Sequence, residues 1–246
     1  MNKFLLIFTL LLFFSYSCKK DKLSEDDPPV DPCSQLVDGV YQYPTEPPDP
    51  SLTNAQKMEY WNIPEDVLPC LETDGLVETC CNYPDLWLCF TAGTYGLISG
   101  YDLLSRYLRG IGELESRTDA IQSLLNKYIS LDTTQIGSWA SFFIELSLGR
   151  DSIILHSNTE QKKTVVLELL TKQLLKQELN KPVGVFYSEG TIYSMARIMY
   201  RDNFEPFLDI YEANNKIQLL IGYGAYYHDE DVINTIVDLA NTYLLK

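Results

Sequence analysis

From Thr118 to its last residues the chain repeats apolar side chains every three to four positions, and this restricts the fold more than any other feature. Ile121, Leu124, Leu125 and Tyr128 stand at i, i+3, i+4 and i+7, the spacing that gathers side chains on one face of an α-helix. Trp139, Phe142, Phe143 and Leu146 repeat it, with Gly149 placed to stop that helix. Ser157 and Glu160 read as a capping box ahead of Val166, Leu167, Leu170 and Leu174, in a run that Pro182 ends. Ile192, Met195, Ala196 and Met199 mark another helix. Asp229 caps a last one that turns Val232, Ile233, Ile236, Val237, Ala240 and Leu244 inward. Residues 52–61 read as a short first helix begun near Ser51 or Thr53. Residues 183–187 and 218–227 are apolar but interrupted by glycine, and read as loops or helix ends rather than strands. The expected class is all-α: one domain over residues 51–246, a helical bundle or antiparallel helix pairs stacked like an α-solenoid.

The N-terminus predicts an address. Lys3 supplies a positive start, residues 4–14 form an apolar or hydroxyl run, and Ser15, Tyr16 and Ser17 precede Cys18. Such a run is shorter than the roughly 20 residues that span a bilayer core, so it reads as a signal peptide over residues 1–17. Cleavage before Cys18 would leave that cysteine to carry lipid; ordinary cleavage after Ser17 would leave it plain. The adjoining segment favours the lipid reading. Residues 19–50 hold seven of the twelve prolines, many acids and little apolar surface, too little to offset chain entropy, so residues 18–50 read as a lipidated cysteine and a disordered tether.

A net charge of −15 excludes the basic footprint that phosphate recognition needs, so no nucleic acid is expected as a partner, and attachment to a membrane should depend on acyl chains. Of the six cysteines, lipidation of Cys18 leaves Cys33, Cys70, Cys80, Cys81 and Cys89, an odd number available as buried thiols or disulfides in an exported protein. Their spacing is not that of a zinc site and no histidine lies nearby, so no metal is expected. No P-loop or dinucleotide fingerprint is present, and no cofactor is expected.

Two resemblances support the address. The charged run of residues 19–27, Lys-Lys-Asp-Lys-Leu-Ser-Glu-Asp-Asp, is similar to surface-export signals of Bacteroidota lipoproteins. Residues 63–76, then Cys80-Cys81-Asn82-Tyr83-Pro84, Met195-Ala196-Arg197-Ile198-Met199 and Glu205-Pro206-Phe207 resemble a group of uncharacterised Bacteroidota lipoproteins. The first makes display at the outer surface an expectation; the second implies an exported, lipid-anchored outer-membrane protein with a helical body and carries over no catalytic residue.

Three features invite chemistry. Glu113-Leu114-Glu115-Ser116 resembles the Glu-Ser motif of soluble lytic transglycosylases, in which an isolated carboxyl protonates a glycosidic oxygen. The Gly-Leu-Met-Gln-type segment of that family is missing, with residues 121–125 in its place, so the acids read as first-turn residues of a helix near the Gly110 and Gly112 junction. The run from His228 to Asp231 offers ligand atoms for a cation but reads as a helix start. His156 has no nucleophile partner in sequence. The remaining hint is aromatic: Tyr223, Tyr226 and Tyr227, beside His228, form a candidate ligand surface that can stack on sugar rings or anchor a protein. The expected function is that of a noncatalytic, lipid-anchored envelope protein serving as scaffold or accessory subunit to an envelope protein partner. The alternative is a surface glycan-binding lipoprotein using exposed aromatics, followed by an envelope hydrolase.

Overall fold

The computed structural model describes residues 31–91, 96–179, 187–224 and 229–246. The expected signal peptide (residues 1–17), Cys18 and the expected tether up to residue 30 lie outside these, as do Pro182, residues 183–186, Tyr226, Tyr227 and His228. The described chain is all-α apart from one hairpin. None of its helices is long and apolar enough to cross a membrane.

The hairpin corrects the expected tether. β1 (Leu36–Val37) and β2 (Val40–Tyr41) pair antiparallel through Asp38 and Gly39, both at positive φ, the Asp-Gly geometry that a two-residue turn demands. After the short helix α1 (Asn54–Tyr60) comes α2 (Thr73–Cys81), on which β2 packs. Tyr41 is buried and its amide donates to Thr79 Oγ1 at 3.1 Å. A Cβ on Gly75 would lie 2.2 Å from the Gly39 carbonyl oxygen, so only glycine lets α2 approach the turn. Cys33 and Cys70 form a disulfide. Residues 31–43 therefore belong to the body: a few apolar side chains, one bridge and backbone pairing supply the contacts that composition alone does not count.

Next along the chain lie α3 (Leu88–Thr91), α4 (Leu97–Tyr107), α5 (Arg109–Ser116), α6 (Ala120–Ser130) and α7 (Trp139–Leu148). They lead to α8 (Asp151–Ile154), α9 (Thr159–Glu178), α10 (Tyr187–Arg201), α11 (Glu205–Ala213), α12 (Asn215–Tyr223) and α13 (Glu230–Leu245). α7 is buried on all sides from Ser141 to Leu148, its Ser141, Glu145 and Ser147 included, while Trp139 at its start is exposed. Gly149 ends it with φ −87, open to any residue; glycine is needed there because a Cβ would lie 2.5 Å from Ser194 Oγ. α10 packs against α7, α9 and α13 through Ile192, Met195, Ala196 and Met199, all fully buried. Tyr101 of α4 stacks on Phe143 of α7, ring centroids 5.9 Å apart.

Two helical details depart from the sequence reading. The capping box of α9 is Asn158 with Gln161, one residue beyond the expected pair, because Ser157 spends its hydroxyl on the Ile154 carbonyl. The buried face of α9 is also turned: Leu167 and Leu174 are about half exposed, whereas Lys172, Gln173 and Lys176 point inward. Inward polar side chains are tolerable only with partners. Lys176 reaches Glu145 at 2.6 Å, Gln173 accepts from Thr191 at 2.6 Å, and Lys172 donates to the Leu131 carbonyl at 3.1 Å.

Candidate functional site

Six of the side chains that line one cleft come from α10 and from the junction of α7 with α8. Tyr193, Arg197 and Arg201 follow at i, i+4 and i+8 on a single face of α10, with Tyr200 beside them. Arg150 and Asp151 open α8, where the chain turns out of the buried α7. Glu115 of α5, Tyr211 of α11 and Ile221 of α12 join the wall, with Ile98, Ser152 and Gly222, and the cleft holds about 500 Å³.

Charges meet here in two chains of ion pairs. Arg150 donates through Nε to Glu115 at 3.2 Å and pairs through Nη1 with Asp102 at 2.8 Å, its guanidinium 4.9 Å from the Tyr101 ring centre. Burial alone would lower the Arg150 pKa, but Glu115 and Asp102 outweigh it and raise it. Asp151 receives Arg201 on both oxygens, with Nε at 2.7 Å, and Arg197 through Nη2. Burial pushes the Asp151 carboxyl up, yet the hydrogen bonds and charges of the two arginines hold it below the usual range. Arg197 Nη1 donates to the Ile221 carbonyl at 3.3 Å, and its buried Nε has no acceptor among the described residues. Tyr200 and Tyr211 lie with ring centres 4.8 Å apart on the rim. The Tyr193 hydroxyl has its pKa raised by burial. Three of the six arginines of an acidic chain thus share one cleft with two carboxylates and three phenols, an arrangement suited to hydrogen-bonding and stacking on a polar ligand.

Away from the cleft lies a closed polar cluster. Glu145, fully buried, accepts from Tyr128 at 2.8 Å, Ser141 at 3.0 Å and Lys176 at 2.6 Å through Oε1, while Oε2 has no partner among the described residues and faces the Cα of Gly190. Burial lowers the pKa of Lys176 even beside this carboxylate. Glu189, next to Gly190, is buried with no cation paired to it among the described residues, and burial pushes its pKa from 4.5 to about 8.

The expected site residues are scattered. Tyr223 is exposed at the end of α12 and does not line the cleft, although its neighbour Gly222 does. Of the cysteines, Cys33 and Cys70 are bonded, and Cys80, Cys81 and Cys89 are buried free thiols rather than disulfides. Burial pushes the Cys80 thiol up to about 12 and raises Cys81 and Cys89 as well, the state of inert packing groups. Among the described residues no cluster of histidine, cysteine and carboxylates could hold a metal. Glu113 and Glu115 occupy the last turn of α5 rather than the first, paired with Arg117 at 3.0 Å and Arg150 at 3.2 Å, so the Glu-Ser motif holds no isolated carboxyl. Asp229 caps α13, accepting from the amides of Asp231 and Val232 and pairing with Lys216, which explains the acidic run without a cation. His156 is exposed. Sequence reasoning does not single out the cleft arginines and tyrosines; the signal it offers is the i, i+4, i+8 row of Tyr193, Arg197 and Arg201 beside the apolar row of Ile192, Met195, Ala196 and Met199. Compared with protein-family models, with curated proteins and with solved structures, the chain matches none of the three.

Proposed function

We propose that this is a noncatalytic protein of the bacterial cell envelope, exported, lipid-anchored through Cys18 to the outer membrane, and acting by binding, as an accessory subunit to an envelope partner. The observation that carries the binding reading is the cleft itself, where Glu115 and Asp151 are engaged by guanidinium groups and serve recognition rather than proton transfer. The Cys33–Cys70 disulfide agrees with an oxidising, exported location. Cys18→Ala is expected to release the chain from the membrane fraction or stall its processing, and unchanged processing and attachment would contradict the anchor. In-cell cross-linking of a tagged chain is expected to recover one stoichiometric partner; recovery of abundant lipoproteins alone would count against the accessory role.

Glycan capture is the second reading, and the composition of the cleft favours it. Tyrosine faces, guanidinium donors and carboxylate acceptors in one hollow are the groups that stack on sugar rings and hydrogen-bond their hydroxyls. Retardation by at least one polysaccharide in affinity electrophoresis is the expected result.

A further inference from the structure

We infer that the cleft takes a sugar acid, a hydroxylated ring bearing one carboxylate; this rests on the glycan reading and gives it a substrate class. Charge balance is the first ground. Three guanidinium groups and two carboxylates line the cleft, an excess of one positive charge at the wall of a chain of net charge −15. Asp102 pairs with Arg150 but does not line the cleft. A single carboxylate in the cleft neutralises the excess at the wall, whereas a phosphate dianion there would overshoot it and meet the two acids of the lining.

Donor bookkeeping is the second. A guanidinium has five N–H bonds. Arg150 spends Nε and Nη1, Arg201 spends Nε and Nη2, and Arg197 spends both Nη groups. Arg150 Nη2 and Arg201 Nη1 are left without an acceptor among the described residues, while the unpartnered Nε of Arg197 is enclosed in the protein. Two unspent guanidinium donors, on Arg150 and Arg201, match the two oxygens of a carboxylate. Glu115 binds Arg150 through Oε1 and keeps Oε2 for a sugar hydroxyl. The half-buried rings of Tyr200 and Tyr211 supply an apolar flank for the ring face. The volume of about 500 Å³ falls within the range of roughly 300–1,000 Å³ of small-ligand sites.

The test is calorimetric titration of the detergent-purified full chain with D-galacturonate, D-glucuronate, trigalacturonate and, as the neutral counterpart, D-galactose. At least one acid is expected to bind about tenfold or more tightly than galactose. Arg201→Gln, on the rim, is expected to weaken acid binding by about 10- to 100-fold, the worth of a charge-assisted hydrogen bond. Arg201→Lys, which keeps the charge and loses the fork, should fall between. Binding of the trimer alone identifies the acid as a residue within a polysaccharide, and binding of a monomer identifies a free sugar acid. Equal affinity for galactose and the acids, or an Arg201→Gln chain that binds as the native one does, overturns the sugar-acid assignment and leaves glycan capture standing. Silence with all four probes overturns the assignment, and affinity electrophoresis then decides the glycan reading on its own.

Discussion

At Glu189 burial and helix dipole pull in opposite directions. The carboxyl sits in the first turn of α10, where the exposed amides favour negative charge, yet burial wins and raises its pKa from 4.5 to about 8. Between those values the folded chain holds a proton that the unfolded chain has released. The stabilising contribution is therefore complete below pH 4.5 and is lost as pH rises through about 8. Glu189→Gln should flatten this decline and raise stability at pH 8 by about 1–3 kcal/mol, the cost of an unsatisfied buried group. Parallel urea titrations of both chains at pH 5 and pH 8 check it; an equal pH dependence would contradict it. Glu145 is buried too, but Lys176, Tyr128 and Ser141 all donate to one of its oxygens.

The hairpin and its bridge show how an element can be held by little area. β1 and β2 span two residues each, too few for independent stability, so they depend on α2 and on the disulfide. Cys33→Ser with Cys70→Ser is expected to cost about 2–4 kcal/mol and to expose residues 31–43 to proteolysis, with reductant producing the same loss in the native chain only. Limited proteolysis with and without reductant checks this. The helices are legible from sequence where one face meets an apolar neighbour: α6 and α10 bury the residues that their spacing indicates, and α13 buries Val232, Ile233, Ile236 and Ala240 but leaves Val237 and Leu244 only partly covered and buries Tyr243 instead. The same spacing misplaces α9, because Lys176 and Gln173 are drawn inward by partners on α7 and α10, which no local pattern encodes. The hairpin is legible in Val37-Asp38-Gly39-Val40, an Asp-Gly turn between apolar residues, but it stands in a segment whose prolines and acids argue for disorder. The cleft is least legible, since Arg150 and Arg197 lie 47 positions apart and only folding brings both to the same wall.

Across the whole molecule, α8, four residues long, joins the two halves of the chain. Arg150, just before it, reaches back to Asp102 on α4 and Glu115 on α5, and Asp151 reaches forward to Arg197 and Arg201 on α10. Arg150→Ala is expected to lower stability by about 1–3 kcal/mol, because it strands two partly buried carboxylates, and Arg150→Ala with Glu115→Ala should lose less than the sum of the single variants. A double-mutant cycle by chemical denaturation measures that coupling, and strict additivity would refute it. The disulfide has a mechanical meaning at this scale. A pull arriving from the N-terminal side enters the body at Cys33 and crosses the sulfur bridge to Cys70, so the chain between them, hairpin and α1 included, lies outside the line of tension. Reduction would reroute the force through that segment and let about 130 Å of slack peel away at extended-chain length before the load reaches α2.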